Sequence, residues 1–303
     1  MLLQGNCVKR VYGETSLSLE AKAGESFLVK RLYCRPNSED EYLVLRIDRK
    51  TVGVYRVYGK GGNQLRGICA ELHPMNLTDF LLKQGVNIKI PVAEGQTFSI
   101  DGINAATEIV AEFERHSAGD ITTIMPNGSD AKEYTFLQYM TSSENLAVDG
   151  DLLIDQSLSP AEFPDFPCGK VVPAKTTINM LGLVGNPKSY GFGASNIQTT
   201  FVKLVKDRET LFDPDRNGIP FRGQASGGHT DSYQTDVSLI GGCIDGKEDS
   251  QKADIGFPLM FDPVLNFVSG EELLIYVTID QRGSGTFDGD KIDLAAILNV
   301  KTE

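Results

Sequence analysis

The run Asp213-Pro214-Asp215-Arg216-Asn217-Gly218 sets three oxygen-bearing side chains at alternate positions ahead of a glycine. That is the first half of a calcium loop, in which alternate oxygens converge on one ion and glycine permits the sharp turn. Asp213, Asp215 and Asn217 are therefore the candidate metal ligands, for a structural calcium. The twelfth position is Gln224 rather than a bidentate Glu, and no flanking helices are evident. An Asx-type turn between strands accounts for the same residues without a metal. Asp149-Gly150-Asp151 and Asp288-Gly289-Asp290 are shorter versions and are expected to be turns.

Other chemistry is sparse. The histidines, His73, His116 and His229, stand apart, with no H-x-x-x-H or H-E-x-x-H spacing. No G-x-S-x-G elbow occurs, and Ser284 in Arg282-Gly283-Ser284-Gly285 reads as a hairpin tip. Gly59-Lys60-Gly61-Gly62-Asn63 and Gly191-Phe192-Gly193-Ala194-Ser195-Asn196 lack the third glycine of a dinucleotide loop, and neither opens a helix. A glycosidase would need two carboxylates across a cleft, which spacing alone does not place. The absence of Trp weakens a sugar-binding role. The expectation is a protein without catalytic turnover and without a required cofactor.

Candidate strands dominate the elements around these residues. Tyr42 to Asp48 sets Leu43, Leu45 and Ile47 against Val44, Arg46 and Asp48. Thr107 to His116 alternates Ile109, Ala111 and Phe113 with Glu108, Glu112 and Glu114, and Lys291 to Lys301 lines up Ile292, Leu294, Ala296, Leu298 and Val300. Period-two patterning broken by Gly, Pro, Asn and Asp signals antiparallel sandwiches or barrels. Short helical stretches are expected only at Asn76–Gly85 and at Ser159–Glu162.

The 303 residues suffice for one large domain or two ordinary ones. Lys plus Arg number 29 against 41 Asp plus Glu, a formal charge of -12, which argues against a general polyanion binder and against sequence-specific nucleic-acid recognition. Residues 1 to 150 hold 16 cations against 19 anions (-3), and residues 151 to 303 hold 13 against 22 (-9). The five cysteines lack C-x-x-C spacing and read as free thiols of a reducing compartment. No apolar h-region follows Met1, which fits synthesis in the cytoplasm.

The order of elements recurs. Ala21-Lys22-Ala23-Gly24-Glu25-Ser26-Phe27-Leu28-Val29 has a counterpart in Val172-Pro173-Ala174-Lys175-Thr176-Thr177-Ile178-Asn179-Met180. Tyr42 to Thr51 matches Thr200 to Thr210, and the turn at Glu94-Gly95 matches Gly270-Glu271. Thr97 to Asp101 is set against Leu274 to Ile279, and the two halves close on Glu108 to His116 and Lys291 to Lys301. Such a duplication predicts an all-β chain of two tandem β-sandwiches: 1–116, a connection with short strands over 117–167, and 168–303. Two sandwiches of about eight strands with some long loops fit the jelly-roll class.

On these segments the chain resembles the double jelly-roll major capsid proteins of tailless, lipid-containing icosahedral bacteriophages. The resemblance implies a structural, non-enzymatic virion protein, made in the host cytoplasm, that self-assembles into an icosahedral shell. Its partners would be copies of itself, as a homotrimer, other capsid or vertex proteins, and the internal viral membrane. The alternatives are a phage receptor-binding or spike protein, a carbohydrate-binding sandwich, and a β-sandwich hydrolase. Subunit contacts are expected through Ser117 to Pro167 and Arg216 to Ala253, whose isolated apolar residues include Tyr134, Phe136, Leu137 and Tyr139 in one and Phe221, Tyr233, Leu239 and Ile240 in the other.

Overall fold

A computed structural model describes residues 7–35, 41–57, 75–76, 90–101, 108–117, 133–157, 165–186, 197–212, 217–225, 237–238, 259–281, 286, 289 and 293–303. Among the described residues the regular structure is strand, arranged in four sheets. Residues 77–85 of the expected first helix and Ser159–Glu162 of the second lie outside the described residues, and Met75–Asn76 is a short strand.

The first half builds two sheets. One contains β1 (Cys7–Glu14), β3 (Glu25–Arg35), β6 (Met75–Asn76), β7 (Pro91–Val92) and β9 (Glu108–Ser117), in the order β1-β9-β3 with β6 and β7 both on β3. The other is β2-β8-β4-β5, from β2 (Ser16–Glu20), β4 (Glu41–Ile47), β5 (Lys50–Val57) and β8 (Thr97–Asp101). Alternation sets the faces: Leu17 and Leu19 of β2 are buried, as are Ile109, Ala111 and Phe113 of β9. Phe27, Phe98 and Phe113 meet edge to face, with Phe113 centred 5.9 Å from Phe27 and 5.4 Å from Phe98. Full burial stabilises by roughly 1.5–3 kcal/mol for each such ring.

The second half repeats the plan with β10 (Glu133–Thr141), β11 (Gly150–Leu153), β12 (Gln156–Ser157), β13 (Thr176–Asn186), β14 (Ile197–Lys206), β15 (Glu209–Thr210), β16 (Ile219–Ala225), β17 (Val237–Ser238), β18 (Leu259–Phe267), β19 (Leu274–Gln281) and β20 (Asp293–Thr302). One sheet runs β12-β10-β20-β13-β18, and the other β11-β19-β14-β16-β17, with β15 also on β14. Leu294 to Leu298 are all buried, so β20 is covered on both faces, where alternation alone predicts one. The same holds for Thr135 to Thr141 of β10. Phe136, Leu137 and Tyr139, expected as loop residues available to neighbours, are core residues instead, because β10 is an interior strand.

Equivalence between the halves extends to single hydrogen bonds. Ala21 N–H donates to the Gln96 carbonyl (2.9 Å) and Gly95 N–H to that of Ala21 (2.8 Å); Val172 donates to Glu271 (2.9 Å) and Gly270 to Val172 (2.9 Å). Gly24 and Lys175 share a left-handed φ, +80° and +57°, as do Gly95 and Gly270, +81° and +88°. Registers agree as well: Phe27↔Val92 with Ile178↔Phe267, Leu45↔Ile100 with Leu204↔Ile275, and Arg46↔Thr51 with Val205↔Thr210. These registers set Thr97 against Glu272, two residues before the expected Leu274. The like endings Ser99-Ile100-Asp101 and Thr278-Ile279-Asp280 are thus not equivalent positions.

By compactness the chain forms two units, Met1–Leu137 with Ile244–Gln251 and Leu298–Glu303, and Gln138–Cys243 with Lys252–Ile297. The division falls within β10 and β20.

Candidate functional site

Left-handed residues stand just before the acidic run 213–218, at Phe212 (φ +64°), and at its end, at Gly218 (φ +100°). Asp213 and Asp215 lie outside the described residues, and Asn217 is exposed. Gly218 is required for close approach: a Cβ there would stand 2.7 Å from the Val202 carbonyl oxygen. Gln224, the twelfth position of the motif, sits in β16 with Gln198 as its ladder partner. A strand therefore follows where a calcium-binding helix–loop–helix has a helix. Among the described residues no group of three or more His, Cys, Asp or Glu is placed to hold a metal ion.

The two shorter acidic motifs have structural roles. Asp151 accepts from Lys203 Nζ at 3.0 and 2.8 Å and from the Thr278 hydroxyl at 2.8 Å, tying β11 to β14 and β19. Gly289 donates to Asn145 Oδ1 (2.8 Å), and its carbonyl accepts from Thr141 Oγ1 (2.6 Å) and Ser142 N–H (3.2 Å). A Cβ at 289 would stand 2.7 Å from that of Ser142, so the close approach excludes any larger residue. Asp155 holds the same bend, accepting from the Ser143 amide at 2.8 Å and hydroxyl at 2.6 Å.

Reactive groups are quiet where they are described. Burial pushes the Cys168 thiol up to about 12, so it is not a thiolate nucleophile at neutral pH. His116 is half-buried on β9 with Nε2 3.2 Å from Glu114 Oε1, and Glu114 also pairs with Lys30 at 2.7 Å. His73, His229, Ser284 and both glycine runs lie outside the described residues.

Features without a structural explanation are apolar and on the surface. Among the described residues the exposed large apolar ones are Tyr12 in the first unit and Val148, Val171, Phe212, Val264 and Val268 in the second. Phe212 is the most unusual of them. Its left-handed backbone costs a bulky residue about 1–2 kcal/mol, and 51% of it is exposed. Its ring stacks on Phe261, 5.1 Å between centroids and 17° between planes. Phe261 opens an irregular stretch of β18, because Met180 pairs with Leu265 while Gly182 pairs with Met260. Sequence patterning does not flag Phe212, since an isolated aromatic beside a turn has no periodicity. Aligning the repeats at Thr51 and Thr210 sets Gly53 opposite it, and that contrast is the signal.

Comparison with known proteins finds no matching family and no matching curated protein.

Proposed function

We propose that this chain is a structural, shell-forming subunit, a major capsid protein built from two tandem jelly rolls. One observation carries the reading: the strand order β1-β9-β3-β7 with β2-β8-β4-β5 recurs as β10-β20-β13-β18 with β11-β19-β14-β15. Each pair of sheets has the order of a jelly roll, in which eight strands wind into two facing four-stranded sheets.

Assembly is the mechanism. Rigid sandwiches offer lateral flanks, and a net charge of -12 keeps the finished surface soluble. The exposed valines and Phe212 supply apolar contact area that a lone subunit leaves wet. The working form is a homotrimer within an icosahedral virion, made in the host cytoplasm and meeting vertex proteins and an internal membrane. No cofactor is required, and a structural calcium at Asp213, Asp215 and Asn217 would stiffen one loop. Calcium added to metal-free protein should then raise the melting temperature, and Asp213→Asn with Asp215→Asn should abolish the rise.

Light scattering and negative-stain electron microscopy of purified protein test the assembly reading. Closed oligomers or shells are expected. A monodisperse monomer at every concentration, in low and high salt, would overturn it.

A further inference from the structure

Asn217 stands apart from the other described asparagines. Asn76, Asn179, Asn186, Asn266 and Asn299 lie within strands, and Asn145 accepts from the Gly289 amide through Oδ1 at 2.8 Å. Asn217 is exposed, lies just before β16, and is followed by glycine. Asn127 is the other asparagine of the sequence that precedes a glycine, and it lies outside the described residues.

The fold itself requires that glycine. Gly218 has φ +100°, and a Cβ there would stand 2.7 Å from the Val202 carbonyl oxygen and 3.0 Å from the Lys203 Cα. Conformation and close approach together exclude a side chain at 218. A side chain at that position is what ordinarily hinders a backbone nitrogen from reaching the side-chain carbonyl carbon of the asparagine before it. Packing against β14 therefore sets an exposed side-chain amide, a thermolabile group, beside a backbone nucleophile that carries no side chain.

We propose that Asn217-Gly218 is a site of spontaneous deamidation in the folded protein. Hydroxide takes the Gly218 amide proton, and the nitrogen attacks Asn217 Cγ. The new N–Cγ bond closes a five-membered succinimide, the Cγ–Nδ2 bond breaks, and ammonia leaves with a proton from water, which regenerates hydroxide. Water then adds to one of the two ring carbonyls. Cleavage of the new N–Cγ bond gives aspartate, and cleavage of the original peptide bond gives isoaspartate. The sum is one water consumed and one ammonia released, with no oxidant or reductant. Aspartate leaves the backbone as it is and makes positions 213, 215 and 217 three carboxylates. Isoaspartate adds a methylene to the main chain just before Gly218, where the approach to Val202 leaves no slack, so it loosens the pairing of β16 with β14 at Val202↔Ile219. The site is independent of the assembly reading.

The test ages the folded full chain at pH 9 and at pH 6, with the chain unfolded in guanidinium as the reference. Peptide mapping by mass spectrometry follows Asn217 and separates it from Asn127. The expected result is conversion at 217 to aspartate and isoaspartate with release of ammonia, faster at pH 9 than at pH 6. The folded rate at pH 9 should lie within about tenfold of the unfolded rate, so that the fold adds no more than about 1.4 kcal/mol to the barrier. Asn145 and Asn266, exposed but followed by Leu and Phe, should persist over the same period. Asn217→Gln, whose ring would need six members, should keep the wild-type circular dichroism and lose the conversion at 217. Aged wild type should melt below freshly made Asn217→Asp, because only isoaspartate alters the backbone. An Asn217 peptide that stays intact in the folded chain while it converts in guanidinium would overturn the proposal, as would equal conversion at Asn145 and Asn266.

Discussion

The Glu271 carboxylate separates turn-capping from charge in a way that the repeat itself controls. It accepts from the Val268 amide at 2.8 Å and pairs with Lys206 at 3.0 Å. In the first half Gln96 Oε1 accepts from the Ala93 amide at 2.9 Å, with no charge involved. The residue corresponding to Lys206 there is Ile47. Removing the acceptor with Glu271→Ala should cost about 0.5–1.5 kcal/mol for the lost hydrogen bond. The exposed ion pair adds at most about 1 kcal/mol. Together these predict a loss of about 1–2 kcal/mol, or roughly 3–6 °C in melting temperature for a unit of this size. Glu271→Gln keeps an acceptor in place and loses only the ion pair, at most about 1 kcal/mol. The pH dependence follows from the amide and Lys206, which hold the carboxyl below its usual range. A depressed folded pKa contributes stability above the unfolded value near 4.5, and that stability is lost as pH falls through the folded value. Glu271→Gln should therefore flatten the acid limb of the stability curve, its small deficit at pH 7 closing as the wild-type carboxyl protonates. Thermal melts from pH 7 to pH 3 measure both effects. Equal losses in Glu271→Gln and Glu271→Ala at pH 7, or a silent Gln96→Ala, would refute the shared capping role.

Gly289→Ala should destabilise by on the order of 2–4 kcal/mol, because its Cβ meets the Ser142 side chain and the Glu144 backbone; a urea melt reads the loss. Cys168 should resist thiol reagents at pH 8 in the folded protein and react at once in denaturant, since its thiol sits at about 12 and is 1% exposed; a colorimetric thiol titration decides it. Phe166 packs on Phe267 with centroids 4.9 Å apart and both rings fully buried, so Phe166→Ala should cost about 3–5 kcal/mol. A double-mutant cycle with Phe267→Ala should return a coupling of about 0.5–1.5 kcal/mol, and additive losses would show that the rings do not act together.

Legibility in the sequence followed the strength of local patterning. Alternation at Ser16–Glu20 and Thr97–Asp101 names strands with the bounds observed, because one face of each is buried and the other wet. The matched segments beginning at Ala21 and Val172 are equivalent residue by residue, since the same backbone hydrogen bonds demand a left-handed residue three positions on. For strands covered on both faces the element is legible and its burial is not. Tyr134 to Tyr139 reads as a short strand, as β10 is, but without alternation nothing local shows that both of its faces are covered, so its apolar residues read as available to neighbours. Among the candidate ligands, nothing in spacing distinguishes an ion-binding Asp from Asp151, whose partners Lys203 and Thr278 lie 52 and 127 residues away.

Where the halves agree and where they part is itself informative. Agreement lies in the backbone: the clamp of Ala21 on Gly95 and Gln96, the registers, and the left-handed turn residues. These are constrained because an orphaned amide in a tight turn costs more than most side-chain changes. Departures lie at the surface, where Glu20, Gly53 and Ala93 give way to Val171, Phe212 and Val268, all exposed. Burial is not the reason for these exchanges, since each adds apolar area to water. β12 likewise pairs beside β10, whereas β1, the counterpart of β10, is terminal among the described residues. Phe212 stacks on Phe261 with 5.1 Å between centroids, a contact that the glycine at position 53 has no side chain to make, and that contact offsets part of the left-handed strain.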